Sequence, residues 1–176
     1  MIDQHQHPVL KYTAWTLFNS SFGLVLSPLC YLESSLLARA ALLSTGVVAS
    51  ISAVGMTARR GQYLWLGAPL MAGLSVVCLA SISSLILPST AIKTLSVSEW
   101  ISLYGGLAIF SGILLFDTQR MITNAEKAQD ARTLSSINES LDIYMDTINI
   151  FIRILALLSK DDAREKKRSA ATSRRK

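Results

Sequence analysis

Between Tyr12 and Phe116 only Glu33, Arg39, Arg59, Arg60, Lys93 and Glu99 are charged, six of 105 positions, and they separate long apolar runs. A helix needs about 20 apolar residues to cross the ~30 Å hydrocarbon layer of a bilayer. Residues 12–32 supply 21 without a charge, with Pro28 placed to kink the far end. Residues 36–58 form a second run, in which Arg39 lies near enough to the start to snorkel. Within it Gly46 with Ser50, and Ala49 with Ala53, are small residues four apart, the spacing that lets another helix approach closely. A third run, 63–87, has Gly67, Pro69 and Gly73 near its start and Pro88 after its end. Such interruptions mark either a broken helix lining a site or an ordinary first-turn proline. Residues 100–116 give 17 more uncharged positions through Gly105 and Gly106, with Trp100 at the interface.

A fifth segment differs in kind. Over residues 140–158 Leu141, Tyr144, Met145, Ile148, Ile152 and Leu155 recur at helical spacing, while Asp142, Asp146, Asn149 and Arg153 stack into a polar stripe on another face. Such a helix turns its stripe toward a bundle interior, a water-filled cavity or the interface. The pattern therefore predicts an all-α, polytopic membrane helix bundle of about five transmembrane or re-entrant helices over residues 12–158. A polar leader (1–11) precedes it and a basic disordered tail (159–176) follows. If four helices cross, Lys11, Arg59, Arg60, Arg120, Lys127 and Arg132 share one side against Arg39 and Lys93 on the other, which makes the first side the inside. A fully spanning fifth helix then puts the basic tail outside, against that rule, and a re-entrant one does not.

Composition adds little until charge is located. Hydrophobic residues are 51% and charged residues 16% of the 176, which excludes a disordered or nucleic-acid-coating chain. The net charge of +5 belongs to one end: residues 1–159 hold nine Lys/Arg and nine Asp/Glu, and residues 160–176 hold eight and three. Lys166, Lys167, Arg168, Arg174, Arg175 and Lys176 suit an anionic leaflet at ~1 kcal/mol per basic residue; a merely solubilising end is the alternative. No aromatic residues interleave with them, against nucleic-acid binding. Cys30 and Cys78 lie in apolar runs, where a thiol behaves as a small hydrophobe. Residues 1–8 lack the marks of a signal or transit peptide, and His5 with His7 lacks a fixed third ligand. No Ser–His pair, HExxH, phosphate-cradling loop or GxGD context falls in the spans, so neither an enzyme nor a cofactor is expected.

Candidate chemistry rests on two acids. Asp117 ends the fourth run and Asp146 lies near the start of the fifth helix, both at inner ends, so they are able to face each other. An Asp at the centre of a membrane helix costs about 2.5–3.5 kcal/mol on insertion scales, and such a residue normally has a partner or a function. Two adjacent carboxylates in low dielectric share a proton, and the titration belongs to the pair. Protonated, they hold the helices together; doubly ionised, they separate or take up a hard cation such as Ca²⁺. Asp117 and Asp146 are then the candidate calcium ligands, with Thr118 and Asn149 adding neutral oxygens and Arg153 a competing positive charge. In the alternative, Asp117 leaves its helix at the water boundary and Asp146 pairs with Arg153 or Asn149 to make the stripe tolerable. Asp142, nearer the aqueous loop, is expected to be solvated.

The stretch YGGLAIFSGILLFDTQRMITNAEK (104–127), followed by DIYMDTINIFIRILALL (142–158), resembles the last two helices of the transmembrane Bax inhibitor motif superfamily. HPVLKYTAW near the start and LGAPLMAGL (66–74) resemble its mitochondrial inner-membrane branch. The resemblance implies a seven-helix fold whose last two helices carry a pH-sensing acid pair, here Asp117 of FDTQ and Asp146 of YMDTIN, controlling a calcium leak or Ca²⁺/H⁺ exchange. It also implies a link to cristae organisation and apoptosis regulation. On that reading the partners are the bilayer, cardiolipin among its lipids, calcium ions, protons and other membrane proteins. A non-transporting inner-membrane scaffold is the second reading. About five spans correspond to the family's last five, so the chain reads as N-terminally truncated, and the family's basic partner for the acid pair has no counterpart. Asp142 adds a third acid to the stripe.

Overall fold

A computed structural model describes residues 8–59, 61–86, 97–127 and 136–173, and among these it is helical with no strand. Helix α1 spans Pro8–Leu26 and passes into a 3₁₀ turn at Ser27–Tyr31. Helix α2 is Ser34–Thr57, and a 3₁₀ turn at Leu64–Leu66 leads into α3, Gly67–Ile86. A π-helical turn, Ile101–Gly105, leads into α4, Gly106–Lys127, and α5 runs over Ser136–Ser173. Among the described residues, three segments are long and apolar enough to cross a membrane: Ser34–Thr57, Leu64–Ser83 and Val97–Glu126.

The uncharged run 12–32 is not one helix. It divides at Ser27–Pro28, because proline both lacks an N–H and restricts the residue before it. Thr13, Thr16, Asn19 and Ser21 each bond a carbonyl four residues back, which satisfies their polar atoms within α1 itself. In α3 Pro69 sits in the first turn, where its missing N–H costs nothing, so the ordinary reading of that proline is the observed one.

Helices α2, α4 and α5 pack on one another, and α3 covers α4. The core between them is Leu36, Ala40, Leu114, Ile150, Ile154 and Leu155. Close approach is made by residues other than the expected stripe in α2. Gly46 faces open space, and Ala49, Ser50 and Ala53 are exposed. The buried face of α2 is Leu36, Ala40, Ser44 and Gly55, and a Cβ at Gly55 would stand 2.9 Å from the Thr118 methyl on α4. Helix α1 meets α5 edge-on through Phe22 and Tyr144, ring centroids 6.1 Å apart.

The segment beyond residue 158, expected to be disordered, continues α5 as helix to Ser173; residues 174–176 lie outside the described part. Ala, Glu, Lys and Arg, all good helix formers, dominate it. Two ion pairs tie it down, Lys160 to Glu99 at 2.6 Å and Lys166 to Glu33 at 2.9 Å. At 1.5 Å per residue the 38 residues of α5 reach about 57 Å, well beyond the hydrocarbon layer. The helix does not turn back. It runs the length of the bundle, and its basic extension lies beside Glu33 and Glu99, the starts of α2 and of the fourth span.

Candidate functional site

At the other end of the bundle α4 and α5 bring Asp117 and Asp146 together. The two carboxyl groups lie close enough to act on each other, and a hydrogen bond between them needs one shared proton, since two ionised carboxylates have no donor. Asp146 is 5% exposed, and its Oδ2 is buried with no hydrogen-bond partner. The Asp117 side chain is 13% exposed and has Arg120, one turn on, at 3.9 Å. Asp142 is exposed, as expected, and close enough to act on Asp117 through its charge. Glu139 lies at the same end and accepts a 2.9 Å bond from Asn124. The acid end therefore has one buried carboxyl, Asp146, with the half-buried Asp117 and Glu139 and the exposed Asp142 near it.

The other predicted members of the stripe do not join the pair. Thr118 is buried, donates to the Leu114 carbonyl at 2.7 Å and turns its methyl toward Gly55, because residue 118 projects about 100° around α4 from residue 117. Asn149 Nδ2 is bound to the Met145 carbonyl of its own helix at 2.8 Å. Arg153, two turns from Asp146, reaches toward the far end instead: its guanidinium donates to the Ser102 carbonyl and lies 4.9 Å over the Phe110 ring. Neither Asn149 nor Arg153 pairs with Asp146, so the alternative in which they neutralise it does not describe this structure. Among the described residues no group of three or more His, Cys, Asp or Glu is arranged to hold a metal ion. A calcium ion at Asp117 and Asp146 would therefore complete its shell with water or backbone oxygens. Lys166, Lys167 and Arg168 are exposed on the extension of α5, and Arg174, Arg175 and Lys176 lie outside the described residues.

Gln119 has a structural role that its place in the sequence did not signal. It is 3% exposed, and its Nε2 donates to the Gly55 carbonyl at 2.9 Å while its Oε1 accepts from the Tyr63 N–H at 3.5 Å. Gly55 belongs to the last turn of α2, whose carbonyls have no intrahelical partner. Gln119 thus caps α2 from α4 and fixes the acid-bearing turn against its neighbour.

These features define a helical membrane protein with a carboxyl pair at one end of its bundle, and comparison with known proteins gives the class a family. The family model described as "Inhibitor of apoptosis-promoting Bax1" matches residues 1–163, and the chain belongs to that Bax inhibitor family. It is 40% identical to growth hormone-inducible transmembrane protein of Rattus norvegicus over 94% of this chain and 48% of that protein. It is 30% identical to Bax inhibitor 1 of Arabidopsis thaliana over 91% of this chain and 62% of that protein. Against Bax inhibitor 1 of Homo sapiens the identity is 35%, over 62% of this chain and 44% of the human protein. The chain thus spans about half the length of these relatives. No solved structure matches it.

Proposed function

We propose that this membrane protein carries a proton-gated cation pathway, a calcium leak or Ca²⁺/H⁺ exchange, in which Asp117 and Asp146 are the titrating pair. The observation that supports it best is the placement of the two carboxyls beside each other, with Asp146 buried and one of its oxygens unpartnered. While one proton is shared, a hydrogen bond between them holds α4 against α5. Loss of that proton leaves two negative charges in contact, which drives the helices apart or recruits a divalent cation. The outer acids Asp142 and Glu139 form an attractive approach for a cation from the water side. Calcium and protons are the cargo, with no enzymatic step. The resemblance to the mitochondrial branch supports placement in the inner membrane, with links to cristae organisation and apoptosis regulation. The test is calcium flux into vesicles reconstituted with the full chain across a pH series. Asp117→Asn and Asp146→Asn should each remove the pH dependence, and unchanged profiles in both variants would defeat the reading.

A second reading, an inner-membrane scaffold without transport, is favoured by one observation, the exposed basic extension of α5 held by Glu33 and Glu99. Its side chains suit anionic headgroups such as cardiolipin. Removal of residues 160–176 should then abolish membrane organisation while both acid variants retain it; the reverse pattern favours transport.

A further inference from the structure

The π-helical turn at Ile101–Gly105 has a specific consequence. The Gly106 N–H is shared between the Ile101 and Leu103 carbonyls, five and three residues back, and does not bond to Ser102, four back. The turn therefore releases the Ser102 carbonyl from the usual helical ladder, and that carbonyl is the one Arg153 of α5 takes. The seat is otherwise complete. The guanidinium stacks over Phe110 at 4.9 Å, and Gly106 leaves the space it fills, since a Cβ there would overlap the guanidinium itself. Ser102 is fixed in turn by a 2.8 Å hydroxyl contact with Ser81 of α3. One polar atom of Arg153, Nε, is buried without a partner, so the seat holds this side chain by fit on its other faces.

The seat and the acid pair share one register. Phe110 precedes Asp117 by seven residues and Arg153 follows Asp146 by seven, so in two antiparallel helices the contacts Phe110–Arg153 and Asp117–Asp146 stand or fall together. A slip of one turn, about 5.4 Å, would break both. Leucine and isoleucine contacts between them, such as Leu114 with Ile150, tolerate such a slip far better, because apolar side chains in a lipid-embedded bundle have no directional bonds and little hydrophobic drive to lose. Fixing register is the best-attested use of a buried charge. We propose that Arg153 is a positioning residue: seated in the π-turn of the fourth span, it sets the α4–α5 register that places Asp146 against Asp117. This rests on the acid-pair reading only for its consequence in transport. The geometric claim is tested without any flux measurement.

The experiment uses the full chain in bilayers with Cys30→Ser, Cys78→Ser, Asp117→Cys and Asp146→Cys, and a short bis-thiosulfonate as the probe. Crosslink yield reads the separation of positions 117 and 146. Arg153→Met, similar in length but unable to donate, should lower the yield several-fold. Arg153→Lys, which keeps a cation and a donor within reach of Ser102, should restore most of it. Gly106→Ala retains every polar group but fills the seat, and should lower the yield as Arg153→Met does; it carries the test alone if the methionine variant does not accumulate in the membrane. A wild-type yield in Arg153→Met or in Gly106→Ala, or equal loss in the methionine and lysine variants, overturns the proposal. Flux that ignores the acid variants while crosslinking still depends on Arg153 would defeat the transport reading and leave the register claim standing.

Discussion

Replacing Gln119 by leucine isolates the joint that holds the acid-bearing turn of α4 to α2. Leucine keeps nearly the same volume, so little packing is lost; what changes is hydrogen bonding. The 3.5 Å contact from Tyr63 N–H is at the outer limit for such a bond and contributes little. The 2.9 Å bond to the Gly55 carbonyl is buried, and its removal leaves a helix-terminal carbonyl without a partner. An orphaned buried acceptor costs about 1–3 kcal/mol, and where no water reaches, the upper half of that range applies. Gln119→Leu should therefore destabilise the bundle by about 2 kcal/mol, roughly 30-fold in the folded-to-unfolded ratio. Gln119→Glu should do worse when ionised, since it sets a carboxylate against the same carbonyl. Reversible unfolding by denaturing detergent in mixed micelles, followed by tryptophan fluorescence, measures both. If Gln119→Leu unfolds at the wild-type midpoint while Leu114→Ala shifts it clearly, the cap does not carry the joint.

Three further outcomes follow from the packing and charge. Leu114→Ala removes a fully buried side chain between α2, α4 and α5 and should cost about 2–4 kcal/mol in the same unfolding measurement. Gly55→Ala places a methyl 2.9 Å from the Thr118 Cγ2 and should destabilise by about 1–2 kcal/mol, with partial recovery in Gly55→Ala/Thr118→Ser if that contact is the cause. The Lys166 ammonium beside Glu33 holds that carboxyl below the usual glutamate value. Its contribution is present above the unfolded value and fades as pH falls through the lower, folded one. Lys166→Gln should return the Glu33 titration, followed by NMR, to the ordinary range, with no measurable change in unfolding because the pair is exposed.

The helices, and the closeness of Asp117 to Asp146, were legible in the sequence for a physical reason: charges are costly in hydrocarbon, so their spacing marks the spans, and acids that persist at neighbouring span ends fall near each other. Other features depend on rotation about the helix axis. Gly46 and Ser50 have the right spacing for close approach, but Ala40, Ser44 and Gly55 occupy the face that α2 turns inward. Arg153 shares a stripe with Asp146, yet its long side chain reaches away from it, to a carbonyl freed by a π-turn that leaves no more trace in the sequence than Gly105 and Gly106. Gln119 gave no periodic signal, because its partner is a backbone atom 64 positions earlier. The extension of α5 resembles a solvated tail in composition, and its ion pairs join residues up to 133 apart, which no local window contains.

Everything proposed for transport depends on Asp117 and Asp146 holding one proton jointly. Infrared spectroscopy of the full chain in bilayers, with isotope-labelled aspartate carboxyls, observes that proton directly. A shared proton predicts that the carboxylic-acid band of the pair is lost or displaced in Asp117→Asn and equally in Asp146→Asn. If either variant leaves the other residue's band and its titration unchanged, the two carboxyls ionise independently and the gate has no basis.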